Sequence, residues 1–88
     1  MSLDELKLKI KEEVPISSVI GNYISIKKSG SSMISLCPFH SDSKPSMHIN
    51  DTKKIFKCFA CDAAGDAITF VMKYRNLDYV DALKEICQ

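Results

Sequence analysis

Cys37-Pro38-Phe39-His40 and Cys58-Phe59-Ala60-Cys61 each set two metal-ligand side chains two residues apart, and residues 41–57 join the two groups. Two tight turns of this kind can close four side chains on a single ion. Thiolate and imidazole donors suit zinc, which has no directional d-electron preference, and three cysteines with one histidine complete a tetrahedron. A catalytic zinc keeps one position for water or substrate. This donor set leaves none, so the expected cofactor is one structural Zn2+. A chance Cys-x-x-Cys pair, or two small buried hydrophobes, would not require His40 at the mirrored spacing.

The elements that must position these ligands have little material to work with. A chain of 88 residues makes one domain, expected to span 1–88, with a modest core that a bound metal can supplement. Structural zinc contributes about 10–16 kcal/mol of apparent binding energy, comparable with the whole stability of a small domain. The start of the chain lacks an apolar signal-peptide core, and no stretch approaches the roughly 18 apolar residues of a membrane span. The cysteines fit metal ligation better than disulfides, so a reducing cytoplasm is the expected setting.

Net charge is only +1, but its distribution is uneven: between Tyr23 and Ala60 six lysines face two aspartates, Asp42 and Asp51. Part of that excess balances the metal site, since three thiolates around a divalent ion carry about one negative charge.

Ser2-Leu3-Asp4-Glu5 has capping-box spacing, and Leu3, Leu6, Ile10 and Val14 follow at helical intervals until Pro15 stops them. Residues 16–21 read as a short second helix, with Ser17 as its cap and Gly21 as its stop. Residues 23–28 alternate and predict a strand, with Ile24 and Ile26 on one side and Tyr23, Ser25 and Lys27 on the other. A turn over 29–32 returns the chain as a strand over 33–36, with Ile34 and Leu36 toward the core and Cys37 at its end. Residues 41–45 read as a polar surface loop.

Alternation resumes over 46–50, with Met47 and Ile49 on one face. After a turn at Asp51-Thr52, a strand over 53–58 puts Phe56 on the inward parity of Cys58. Lys53, Ile55 and Lys57 then share the other face. Gly65 permits a bend, Asp66 caps a helix carrying Ala67, Phe70, Val71 and Tyr74, and Asn76-Leu77 interrupts it. Asp78 caps a last helix in which Val80, Leu83 and Ile86 or Cys87 cover the sheet. The fold class is α+β: an antiparallel sheet with helices packed on one face, and a second face bearing Tyr23, Lys27, His48, Lys53, Ile55 and Lys57.

Cys37-Pro-Phe-His40, Pro45-Ser46 and Cys58-Phe59-x-Cys61 with Gly65 closely resemble the N-terminal zinc-binding domain of bacterial DNA primases. The resemblance runs from the helix around Ile16, through Lys27-Lys28-x-Gly30, to the helix over 79–86. It implies a small zinc-ribbon-like domain that engages single-stranded DNA template and helps select the start site, while a separate polymerase domain joins ribonucleotides into a primer. Residue by residue, Cys37, His40, Cys58 and Cys61 match the family's ligands, and Lys27, Pro45, Lys53, Ile55 and Lys57 match its template surface. Strand parity reaches four of those five independently.

Several positions depart from the family's pattern. Ser31 and Ser43 stand where basic residues are usual, Lys57 where His is common, Met33 and Met47 where aromatics are frequent, and Ala60, Asp62 and Ala64 where glycines are common. Lys44 can compensate for Ser43. The family's polymerase carboxylates and helicase-binding segment have no counterpart, so this chain alone is not expected to synthesise primers. A polymerase domain and a replicative helicase are the implied protein partners, and no membrane is.

Lysines along a sheet face can neutralise phosphates, and Tyr23, His48, Phe39 or Phe59 can stack on unpaired bases. Solvent-facing lysines also serve simply to keep sheet edges soluble. Phe39 and Phe59 divide evenly between packing around the metal turns and standing exposed. His48 reads more simply as a bystander, and Cys87 as a small core hydrophobe outside the ligand spacing. Two other function classes stay open: a structural zinc module that docks a polymerase or helicase, and a redox enzyme using Cys58-x-x-Cys61. The redox reading leaves Cys37 and His40 unexplained.

Overall fold

The computed structural model describes residues 2–30, 32–40 and 44–87. Ser31 and residues 41–43, which carry part of the expected turn and surface loop and the Ser31 and Ser43 departures, lie outside the described residues. Among the described residues the order is α1 (Leu3–Glu13), α2 (Ile16–Gly21), β1 (Lys27–Ser29), β2 (Ser32–Ser35), β3 (Met47–Asn50), β4 (Ile55–Cys58), β5 (Ala64–Gly65), α3 (Ala67–Arg75) and α4 (Tyr79–Ile86).

Local chemistry starts and stops these elements. Ser2 Oγ accepts from the Glu5 N–H at 3.2 Å, Asp66 Oδ1 from Thr69 at 2.9 Å and Asp78 Oδ1 from Asp81 at 2.8 Å, each satisfying an orphan amide of a first turn. Val14, forced extended by Pro15, ends α1, and Asn76 ends α3 in the left-handed conformation at φ 56°. Helix α2 differs from expectation. Its cap position is Pro15, without a side-chain bond, and Ser17 instead gives its N–H and its hydroxyl to the Asp51 carboxylate at 2.9 and 2.7 Å. That pair ties α2 to the turn between β3 and β4.

The strands form one antiparallel meander in the order β1-β2-β3-β4-β5. Cross-strand partners share a face, so the register defines two surfaces. Lys28, Met33, Ile49, Phe56 and Gly65 form one row, with Ser35, Met47 and Cys58 beside it, and this side meets the helices. Phe56, Met47 and Cys58 are fully buried there with Phe70, Val71, Ile16, Ile20 and Leu83. The row Lys27, Ile34, His48, Lys57 and Ala64 lies on the opposite, open face. Gly65 is required where β5 meets α3, because at φ 154° an added Cβ would stand 2.7 Å from Thr69 Cβ.

Further expectations need correction. Ile34 and Leu36 do not face the core: Met33↔Ile49 pairing puts Met33 and Ser35 inward, while Ile34 joins the open row and Leu36 is 51% exposed. A shift of one residue reverses every side chain of a strand. The alternation misled because Ser35, only 4% exposed, takes an inward position, with its hydroxyl 3.0 Å from the Ser25 and Leu36 carbonyls.

The strand expected over 23–28 is replaced by β1 alone, since Tyr23 and Ile24 still donate to Ile20 O at 3.0 and 3.1 Å and prolong the turn of α2. Tyr23 therefore leaves the open face. Its ring packs 6.2 Å from Phe70 and 5.3 Å from Tyr74, and its hydroxyl donates to Glu85 Oε2 at 2.6 Å. Lys53 precedes β4, in the turn over 51–54 where Lys54 has φ 60°. Helix α4 packs chiefly on α3 and α1 rather than on the sheet, burying Ala82 and Leu83. No helix among the described residues is long and apolar enough to cross a membrane.

Candidate metal centre and nucleic-acid face

The extended segment after β2 delivers Cys37, a turn brings back His40, β4 ends on Cys58, and the following turn supplies Cys61. The ligand atoms of these four residues all lie within 4.8 Å of one another. Zinc with bonds of about 2.3 Å to sulfur and about 2.0–2.1 Å to nitrogen sets tetrahedral edges of roughly 3.8 Å between sulfurs and roughly 3.6 Å between sulfur and nitrogen. Cys37 Sγ stands 3.7 Å from Cys61 Sγ, and His40 Nε2 stands 3.3 Å from Cys58 Sγ. The donor atoms therefore fit one zinc ion and leave no position for water, the closed arrangement of a structural site. Cys87 stands apart, half-buried at the end of α4.

The two turns hold their thiols differently. Burial pushes the Cys37 thiol up to about 12, reinforced by the Cys58 and Cys61 sulfurs and opposed by the Phe39 backbone. Burial acts in the same direction on Cys58, but hydrogen bonds from the Cys61 and Ala60 backbones, joined by the His40 and Cys61 side chains, outweigh it and bring that thiol down to about 7. A divalent cation favours the thiolate at every cysteine ligand, so metal binding displaces whatever protons the cluster retains. The second turn closes through Asp62 N–H donating to Cys58 O at 2.9 Å. Asp62 sits at φ 60° there, a left-handed position in which glycine carries no steric penalty.

The open face gathers most of the expected nucleic-acid residues. Lys27 and Lys57 lie in one register row with Ile34 and His48 between them, and Ile55 is one row further on. Lys53 stands at the margin, its N–H bonded to Asn50 Oδ1 at 2.9 Å. It shares a hollow of about 370 Å³ with Ser32, His48, Ile55, Lys57 and Phe59. Pro45 lies toward the metal and lines a second hollow of about 690 Å³ with Lys27, Ile34, Leu36, Pro38 and His40.

The two undecided phenylalanines separate cleanly. Phe39 is half-buried, its ring 5.5 Å from Phe70 and 6.2 Å from Phe56. Phe59 is 64% exposed, with His48 edge-on at 4.9 Å and Lys57 Nζ 5.3 Å from its ring centroid. Its parity with Ile55 and Lys57 was available as a signal. Ile34 and Leu36, set inward by sequence reasoning, add apolar surface to the same face.

Residues 3–88 match the family described as the CHC2 zinc finger. The chain is 49% identical to the DNA primase of Mycoplasma genitalium over 90 aligned positions, covering 98% of this chain and 14% of that protein. It is 48% identical to the DNA primase of Campylobacter jejuni over 77, covering 88% of this chain and 13% of the relative. A crystal structure of the Aquifex aeolicus primase, comprising its zinc-binding and RNA polymerase domains, superposes with a TM-score of 0.82 at 42% identity, covering 97% of this chain and 21% of that one. The chain thus spans about one seventh of the length of the sequence relatives described. On the ligand spacing, the donor geometry and these likenesses, the chain belongs to the CHC2 zinc finger family, the zinc-binding module of DnaG-type DNA primases.

Proposed function

We propose that residues 1–88 work as one domain, the template-engaging zinc module of a DNA primase. Cys37, His40, Cys58 and Cys61 hold the zinc, and single-stranded DNA lies across the open sheet face. Lys27, Lys53 and Lys57 meet its phosphates, while Pro45 and Ile55 offer apolar contacts. By holding template there the module helps select the start site for RNA primer synthesis during replication. A primase polymerase domain, working with the replicative helicase in the cytoplasm, makes the primer itself.

The observation that carries this reading is the register row of Lys27, Ile34, His48 and Lys57 on the face turned away from the helices. Three strand spacings of about 4.8 Å separate its end lysines, roughly 14 Å in all, so both can meet the phosphates of one short stretch of strand. The helices already cover the opposite side, so the open face is available to a partner without loss of core.

Fluorescence anisotropy of labelled single-stranded DNA against zinc-loaded protein, across a salt series and beside a duplex, tests it. Three phosphate contacts predict a log-log salt slope of about −2 and preference for the single strand. Replacing Lys27, Lys53 and Lys57 together by alanine should cut affinity at least tenfold and flatten the slope, with the melting temperature kept; unchanged affinity would defeat the assigned face. No binding by folded, zinc-loaded protein would favour a module that docks protein instead.

A further inference from the structure

Phe59 is the most exposed of the large apolar side chains among the described residues, at 64%, yet its backbone is firmly held. It lies between two metal ligands, and its N–H donates to Ser46 O at 3.0 Å, carrying the β3–β4 ladder one residue beyond β4. Strand parity sends its ring to the open face, beside Lys57 and His48. The ring meets His48 edge-on, at 4.9 Å and 81°, and Lys57 Nζ lies 5.3 Å from its centroid. An exposed aromatic beside a lysine, on an anchored backbone, offers a flat surface to an anionic partner that itself carries flat groups.

Alternative roles for this ring are poorly supplied. It takes no part in the buried core, where Phe39 performs the packing for the metal turns against Phe56 and Phe70. Its nearest ring, His48, is itself exposed. A nucleobase suits the surroundings: stacking tolerates any base, and the phosphate of the same strand falls toward the lysine beside the ring. A base inside a duplex is already stacked and paired, so the platform serves only unpaired strands.

We infer that Phe59, braced by His48, is the stacking platform of the open face and takes one unpaired nucleobase, with a neighbouring phosphate on Lys57. This rests on the single-strand reading above and adds a division of labour to it. The lysines supply affinity for any phosphate chain, and Phe59 supplies the preference for single strands over duplex.

The chain contains no tryptophan, so a Phe59→Trp variant places a single indole at the platform. Single-stranded DNA should quench its emission with the same midpoint that anisotropy reports, and duplex should quench it far less. Phe59→Ala and Phe59→Leu, each checked for full zinc content, should bind single strands about tenfold more weakly, with the salt slope kept and the margin over duplex narrowed. His48→Ala should produce a smaller loss in the same direction. Binding by anisotropy without indole quenching, or full affinity in Phe59→Ala, would overturn the platform while leaving the template reading intact. Absence of any DNA binding by the unmodified, zinc-loaded chain would overturn both.

Discussion

The turns Cys37–His40 and Cys58–Cys61 share one spacing and one metal, yet the protein uses them in opposite ways. The first turns inward: its phenylalanine joins Phe56 and Phe70, and burial drives the Cys37 thiol up to about 12. The second caps a strand, so parity sends its phenylalanine outward beside Lys57, while backbone N–H groups bring the Cys58 thiol down to about 7 despite its burial. Ligand spacing therefore determines what the cysteines and histidine do, while the phenylalanines, third residue of the first turn and second of the second, face as their own places on the chain direct. The same contrast extends across the sheet, with the buried core on the helix side and Lys27, His48, Ile55 and Lys57 exposed on the open side.

The largest expected effect removes the contrast altogether. Cys37→Ser and Cys58→Ser should each lose zinc and most of the native circular dichroism, because about 10 kcal/mol or more of apparent metal-binding energy exceeds or matches the stability of a small domain. Zinc content and far-ultraviolet spectra measure both. If one variant kept its metal and its fold while the other did not, the two turns would differ in holding the ion as well as in packing.

The next effect separates the two rings. Phe39→Ala should cost about 2–4 kcal/mol, read from denaturant midpoints, because it opens a gap against Phe56 and Phe70. Phe59→Ala should fall within about 0.5 kcal/mol of the parent, as expected of an exposed side chain. Equal losses would remove the assignment of one turn to the core and the other to a partner.

Tyr23 extends the comparison to pH. Burial first, and then the hydrogen bond and charge of Glu85, raise its phenol to about 12 from the ordinary 10. The raised value means that the folded state keeps a proton which the unfolded chain releases at lower pH. The contribution is complete below about pH 10 and is lost as pH rises through about 12. Tyr23→Phe should cost about 1 kcal/mol at neutral pH through the lost bond to Glu85 and should reduce the fall in stability over that alkaline window. Thermal melts between pH 9 and 12 on zinc-loaded protein follow the difference. An equal alkaline loss in the variant would assign the sensitivity to another group.

Legibility from sequence followed the same division. The metal set was legible because cysteine and histidine are few and their spacing carries the chemistry, and Lys27, Ile55 and Lys57 were placed on one face by strand parity alone. Tyr23 was misplaced because hydrogen bonds to Ile20 prolong α2 through a segment whose residues alternate like a strand. Ile34 and Leu36 were misplaced because the buried partner between them is a serine satisfied by two nearby carbonyls, which no hydrophobic pattern reports. Strand β5 is only two residues long and exists through its pairing with Phe56 and Lys57, so it has no local signature. The packing of α4 on α1 and α3 is likewise a long-range outcome, set by which apolar faces remain after the sheet is covered.

The smallest effect lies in the second turn. Asp62 holds φ 60° where glycine carries no steric penalty, and its carboxylate adds negative charge beside three thiolates. Asp62→Gly relieves both, but glycine also widens the unfolded ensemble, and aspartate tolerates the left-handed region better than most residues. The balance should be a gain of about 0.5 kcal/mol, a rise of roughly 2–4 °C in Tm for a domain of this size. No residue of 37–40 or 58–61 stands at positive φ, so a glycine inside either ligand quartet should bring no such gain. A lower Tm for Asp62→Gly would show that the wider unfolded ensemble, or a stabilising role of the aspartate side chain, outweighs the relief of the left-handed position.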